Sequence, residues 1–168
     1  DSDQLTLDGA GAGVAGVLTN VAITGVEQIA IDAAGNNSSI TIGKSSLEDG
    51  IVVVGDSGTD TVTLGASSVS LENVTFQDFE TLDIAAKTAS ISVETFAGFK
   101  NVNSTASGRL TFTDSGSITL KGTQAGAGRF DMADEADAVT LNGFSDGTNA
   151  VDVRLGGGDD SLSFSGSN

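Results

Sequence analysis

Proline, cysteine, histidine, tryptophan and tyrosine are all missing from this 168-residue chain. Without cysteine there is no disulfide and no thiolate site, so stability has to come from packing, backbone pairing or a bound metal. Without histidine, cysteine or tyrosine most general acid–base and nucleophilic solutions are closed. Basic residues are scarce too: seven Lys and Arg stand against 23 Asp and Glu, for a formal net charge of −16. Such acidity argues against nucleic acid and anionic membrane as partners and leaves cations as the natural counter-ligand. No apolar run approaches the roughly 18 residues of a membrane span, so membrane insertion is not expected. The chain opens on Asp1-Ser2-Asp3, without an initiator Met or a signal-peptide pattern, and reads as a segment excised from something larger.

What is present is β-branched and regularly spaced. Acidic chains of low hydrophobicity are often disordered, but here Val, Ile, Leu and Phe alternate with polar residues. Leu5 and Leu7, Ile29 and Ile31, Ile40 and Ile42, Val62 and Leu64, Leu82 and Ile84, Leu110 and Phe112, Ile118 and Leu120, Val139 and Leu141, Val151 and Val153, and Leu162 and Phe164 form two-residue periods. Strands of three to five residues are expected nearly throughout, with Gly, Asn, Asp and Ser turns between them. Ile91–Val93 reads as one more strand, and 123–138 as the place where a helical turn could hide.

Two patterns recur. The first is an acid, a gap, then apolar-hydroxyl-apolar: Asp3 to Leu7, Asp60 to Leu64, Asp137 to Leu141 and Asp160 to Phe164. The second runs Ile23-Thr24-Gly25-Val26-Glu27-Gln28-Ile29-Ala30-Ile31, Phe76-Gln77-Asp78-Phe79-Glu80-Thr81-Leu82-Asp83-Ile84, and less completely 96–102. Spacings of 53 (Glu27 to Glu80), 57 (Asp3 to Asp60), 20 and 23 residues suggest a unit near 20 residues with longer loops in places. Repeats of that length built from short strands predict an all-β parallel solenoid, each coil burying its face on the next. A β-sandwich is the alternative. The expected organisation is a single solenoid segment over 1–168, with turn–strand units at 55–64 and 134–164.

Gly55-Asp56-Ser57-Gly58-Thr59-Asp60-Thr61-Val62-Thr63 and Gly156-Gly157-Gly158-Asp159-Asp160-Ser161-Leu162-Ser163 resemble the glycine-rich calcium nonapeptide of RTX proteins, G-G-x-G-x-D-x-U-x with U a large apolar residue. In the first, Asp56 takes the second glycine position; in the second, Leu155 stands where the first glycine belongs. The second recurring pattern, together with the acidic, Thr/Ser/Ala/Gly-rich composition, resembles type I-secreted bacterial S-layer proteins. The resemblance implies a secreted, cell-surface β-roll in which each Ca²⁺ sits between turns of successive coils. Ca²⁺ takes six to eight hard oxygen ligands, and glycines free the turn to aim carbonyl oxygens at one point. Gly55, Asp56, Gly58 and Asp60 form one candidate site. Gly156, Gly158 and Asp160 form another, completed by Asp134 and Asp137 of a preceding turn that lacks glycines. The turn at 146–149 is expected on the opposite edge, and Asp1 and Asp3 beneath 55–60.

Other chemistry finds little support. Lys44-Ser45-Ser46 is a common chance pairing in this composition, and Glu27, Glu80 and Glu94 could serve glycoside cleavage only if brought together. Sugar sites usually present aromatic platforms, whereas the eight Phe occupy apolar strand positions expected in the core. The basic residues look scattered singly, as on solvated faces or lattice contacts. The expected function is therefore structural and not enzymatic: a calcium-assembled S-layer lattice component whose partners are itself, calcium and, through another domain, a cell-surface polysaccharide. An RTX adhesin or biofilm-matrix segment, or the calcium-binding C-terminal part of a secreted hydrolase, are the alternatives.

Overall fold

The computed structural model describes residues 2–19, 21–43, 47–121, 128–144 and 151–166. Within them the chain winds as a parallel β-solenoid of about seven turns. Four sheets line its faces, every strand parallel to its neighbours. The first sheet stacks β1 (Gln4–Asp8), β3 (Gln28–Asp32), β5 (Val52–Val54) and β8 (Thr75–Gln77). A second stacks β2 (Ala15–Leu18), β4 (Ser39–Ile42), β6 (Thr61–Leu64), β9 (Thr81–Ala85) and β11 (Asn101–Ser104). The third begins midway, with β7 (Ser68–Ser70), β10 (Thr88–Ile91), β12 (Arg109–Phe112), β14 (Arg129–Asp131) and β16 (Asp152–Arg154). The last holds β13 (Ser117–Lys121), β15 (Ala138–Asn142) and β17 (Ser161–Ser165).

Alternation builds the core. In a strand, residues i and i+2 share a face, and in-register parallel stacking repeats that face about every 4.8 Å. The inward rows are therefore continuous: Ile40, Val62, Leu82 and Val102 on the second sheet, and Val69, Ala89, Leu110 and Phe130 on the third, are all buried. Thr, Ser and charged residues occupy the alternate, outward rows. No coil could bury its apolar face alone; each depends on the next for most of its contacts.

Register separates true coil repeats from apparent ones. Glu80 precedes β9 and Lys100 precedes β11, one coil apart, and Asp137 and Asp160 likewise precede the paired strands β15 and β17. The 20- and 23-residue spacings are thus whole coils. The 53- and 57-residue spacings are not: Asp3 and Glu27 precede first-sheet strands, whereas Asp60 and Glu80 precede second-sheet strands. Coils vary from 20 to 24 residues, as the pairings Thr61↔Thr81 and Gln4↔Gln28 give, and this variation lets one pattern recur on two faces.

The helical turn lies elsewhere than expected. α1 (Val93–Ala97) occupies the segment read as the end of a strand, while the described part of 123–138 holds β14, a turn and the start of β15. Ser92 caps it, its Oγ accepting from Thr95 N at 3.0 Å, which satisfies one of the free amides of a helix start. Thr95 Oγ1 in turn donates to Val74 O at 3.0 Å, so the helix closes onto the preceding coil through a side chain instead of a strand ladder. Phe96 packs edge-on against Phe112 (5.2 Å between centroids), and Phe99 lies tilted at 45° against Phe76 (5.3 Å). These rings lie at the place where the first sheet gives way to the last; α1 contacts β13 directly.

Candidate functional site

The residue just before each second-sheet strand sits at a corner of the coil; the Glu80 and Lys100 amides donate back to Asp60 O and Glu80 O, whereas those of Val14, Ser38 and Asp60 face the following coil and need an acceptor there. Side chains meet that need. Ser38 Oγ accepts from Val14 N at 3.0 Å, Asp60 Oδ1 from Ser38 N at 2.8 Å, and Glu80 Oε2 from Asp60 N at 2.8 Å. Lys100 ends the described column by donating to Glu80 Oε1 at 3.1 Å. A like column runs down the last sheet, where Gly116 N donates to Asp137 Oδ1 (2.8 Å) and Asp137 N to Asp160 Oδ1 (3.0 Å). On the first sheet Asp3 N donates to Glu27 Oε2 at 2.6 Å. The acid that opens the first recurring pattern is, in each of these columns, at the corner.

The turn at 55–60 uses its carboxylates heavily. Asp56 Oδ1 accepts from Gly58 N (2.8 Å), while its Oδ2 accepts from Ala33 N and Gly35 N (both 3.0 Å). Asp60, fully buried, spends its second oxygen on Asp56 N at 2.8 Å. The Gly58 amide, with those of Gly35 and Ala33, holds Asp56 below the usual carboxylate pKa. Burial pushes Asp60 up, against two amide hydrogen bonds, with Asp56 and Glu80 adding repulsion. Burial would raise Glu80 as well, but the Asp60 amide and the Lys100 ammonium outweigh it and leave its pKa lowered. Gly55 donates to Gln77 O at 2.8 Å and lies so close to Asp78 O that a side chain would not fit. Gly58 rests on Asn36, and Thr59 N donates to Asn37 Oδ1 at 2.9 Å. The turn therefore stacks on 33–38, not on the N-terminus. Asp3 lies in the first-sheet corner column, and Asp1 is outside the described residues.

The other pair of turns meets as expected. β15 and β17 are adjacent and in register, so 133–137 lies directly against 156–160. Gly157 N donates to Asp134 Oδ1 at 3.2 Å. Gly156, with φ of 81°, touches Ala133 O so closely that no Cβ could stand there, and Gly158, with φ of 118°, would put a Cβ 2.6 Å from Glu135 C. These two glycines allow the backbones to approach. Asp137 is 4% exposed; its Oδ1 is taken by Gly116 N, and its Oδ2 is buried without a hydrogen-bond partner. Asp134 is exposed and Asp160 half-buried. Among the described residues no three acidic side chains converge as a ready metal cluster, so an ion here would draw on backbone carbonyls as well.

Sequence reasoning missed Ser38, Glu80 and Asp114 as partners of these columns. Asp114 Oδ1 accepts from Val93 N at 2.7 Å, at the entrance to α1. Their common signal was position: each is polar and lies shortly before a core segment. Glu27 and Glu80 stand on different faces, and Glu94 is in the first turn of α1, so no carboxylate pair forms among these three. Lys44–Ser46 and the turn at 146–149 lie outside the described residues. Six of the eight Phe are buried; Phe144 is half-buried and Phe164 is 77% exposed on β17. The arginines are not scattered: Arg109, Arg129 and Arg154 fall on β12, β14 and β16, consecutive strands of the third sheet.

No protein-family model, curated protein or solved structure matches the chain.

Proposed function

We propose that this chain is a structural segment of a calcium-stabilised bacterial surface assembly, of the S-layer kind, with an ion bound between the turns at 133–137 and 156–160. The observation that carries the reading is Asp137 Oδ2, a carboxylate oxygen buried without a hydrogen-bond partner in the turn on which the glycine-rich turn at 156–160 is stacked. An unpartnered buried carboxylate oxygen is costly, and a hard divalent cation is the partner a carboxylate of this kind takes. Asp137 and Asp160 would supply carboxylates, Asp134 a further one from the rim, and the glycine-lined backbone the carbonyls. The carboxylates of Asp56 and Asp60 already serve backbone amides, so the 55–60 turn is read as a hydrogen-bonded corner. The bound ion supplies positive charge to a compact chain of net −16 and favours the folded state by mass action.

Calorimetric titration with circular dichroism tests this. Millimolar Ca²⁺, and not equal Mg²⁺, should raise the melting temperature of chelated protein, and sedimentation should report association only with Ca²⁺. Asp137→Asn and Asp160→Ala should lose most of the response, whereas Asp152→Ala, on an exposed strand position, should keep it. Identical melting in chelator and in Ca²⁺ would sink the calcium role.

A further inference from the structure

All three arginines of the chain stand on one face. Arg109 lies directly opposite Arg129 on neighbouring strands, and Arg154 opposite Asp131. Stacked like charges across a ladder are destabilising, so the arrangement costs the fold something. Asp131 offsets part of that cost. Its carboxylate accepts from Arg129 Nε at 2.6 Å and from Arg109 Nε, with Arg154 Nε 3.9 Å away. Asp152 holds Arg154 at 3.3 Å. The Asp131 side chain is 10% exposed, whereas those of Arg129, Arg109 and Arg154 are 30, 42 and 57% exposed. The buried acid thus gathers three guanidinium groups that remain open to solvent, with Arg109 and Arg129 in register one coil apart, at about 4.8 Å, and Arg154 displaced by two residues along the next strand.

We infer that this arginine column is the lateral docking surface for an acidic face of a second copy of the chain. The inference rests on the assembly reading above. Copies of net charge −16 repel one another, so a specific contact needs local positive charge. Three guanidiniums against two carboxylates leave this patch positive, and no other described face groups cations on consecutive strands. Guanidinium forks pair with carboxylates in planar, two-point contacts. The same fold offers carboxylates at the matching repeat: Asp8 and Asp32, both exposed, are paired one coil apart at the end of the first sheet. Because the two surfaces lie on different sheets, the contact is head-to-tail and generates open rows, not closed pairs.

Sedimentation velocity of the full chain in Ca²⁺, over rising NaCl, tests the inference. Wild type should associate at low salt and dissociate as salt shortens the reach of charge. Arg154→Gln, the most exposed of the three, should weaken association about tenfold or more with an unchanged circular-dichroism melt. Asp131→Asn should strengthen association even though it loosens the sheet, an effect a purely structural cluster would not produce. Arg154→Gln and Asp131→Asn both associating as wild type would overturn the docking role while leaving the assembly reading intact. A wild type that stays monomeric in Ca²⁺ would overturn both. A monomeric wild type retained on an immobilised polyuronate, with Arg154→Gln released, would overturn the second copy as partner and assign the column to an acidic polysaccharide.

Discussion

A buried carboxylate normally looks like a site waiting for a cation, yet Asp60 is consumed by the backbone. Both its oxygens accept amides, from Ser38 on the preceding coil and from Asp56 within its own turn. Asp60→Ala would leave two amides unpaired where water is excluded, and should cost about 2–6 kcal/mol in chemical denaturation, at about 1–3 kcal/mol per orphaned group. Asp60→Asn keeps one acceptor and should cost less. The acids of this corner also titrate in opposite senses. Asp56 and Glu80 have lowered folded pKa values, so their contribution is complete above their ordinary values of 3.8 and 4.5 and is lost as pH falls further. Asp60 has a raised one, so its ionisation opposes folding at neutral pH and its protonation returns stability on mild acidification. Melting temperature followed from pH 7 downward should therefore rise slightly before it falls. Asp60→Asn should reduce that rise; a rise unaltered in the variant would separate it from Asp60.

At the scale of the element, alternation predicted most strands because period two survives even in strands of three residues: Ile40 and Ile42, or Leu110 and Phe112, bury on schedule. The acid before the strand was legible as a repeated letter, and the stacking of 134–137 on 156–160 followed from consecutive turn–strand units. Which amide each acid serves was not, because the partner lies about 20 residues away and depends on coil length. α1 was hidden for a different reason. Ser92 and Glu94 are ordinary helix-start residues, but a five-residue helix has too few turns to show a 3.6 period, and Ile91 before it continues the β alternation. Two element-scale substitutions check these assignments. Ser92→Ala should destabilise by about 1 kcal/mol through the lost cap. Gly158→Ala should do more, since φ of 118° and a Cβ 2.6 Å from Glu135 C would force the two turns apart. Its signature would be a lowered melt together with a weaker Ca²⁺ response.

For the molecule as a whole, stability is shared between neighbours along one axis. Coils in the middle are flanked on both sides, and Ile40, Val62, Leu64, Leu82 and Leu110 are fully enclosed. At the ends the same rows open: Leu5 and Leu7 of β1 are half-buried, and Leu162 and Phe164 of β17 are 44% and 77% exposed. Amide exchange should accordingly be slowest in β4, β6, β9 and β12 and fastest in β1 and β17, with a gradient between. Uniform protection along the chain would contradict a nearest-neighbour account. The sequence could announce the repeat and its acidity, but not that three arginines share a face; their spacings of 20 and 25 residues become a column only once each coil's length is known.

The corner columns have a direction. Val14, Ser38, Asp60, Val93, Gly116 and Asp137 each give an amide to a side chain that lies later in the chain. A coil emerging from synthesis in N-to-C order is therefore chemically unfinished until its successor has arrived, like a row of stitches each locked by the one after it. Trimming the chain back from the β17 end should strip the newly terminal coil of its acceptors. Trimming from the β1 end removes mainly donors and leaves behind carboxylates that water can serve. Matched one-coil deletions compared by thermal melt should be unequal, the C-terminal one being the more damaging.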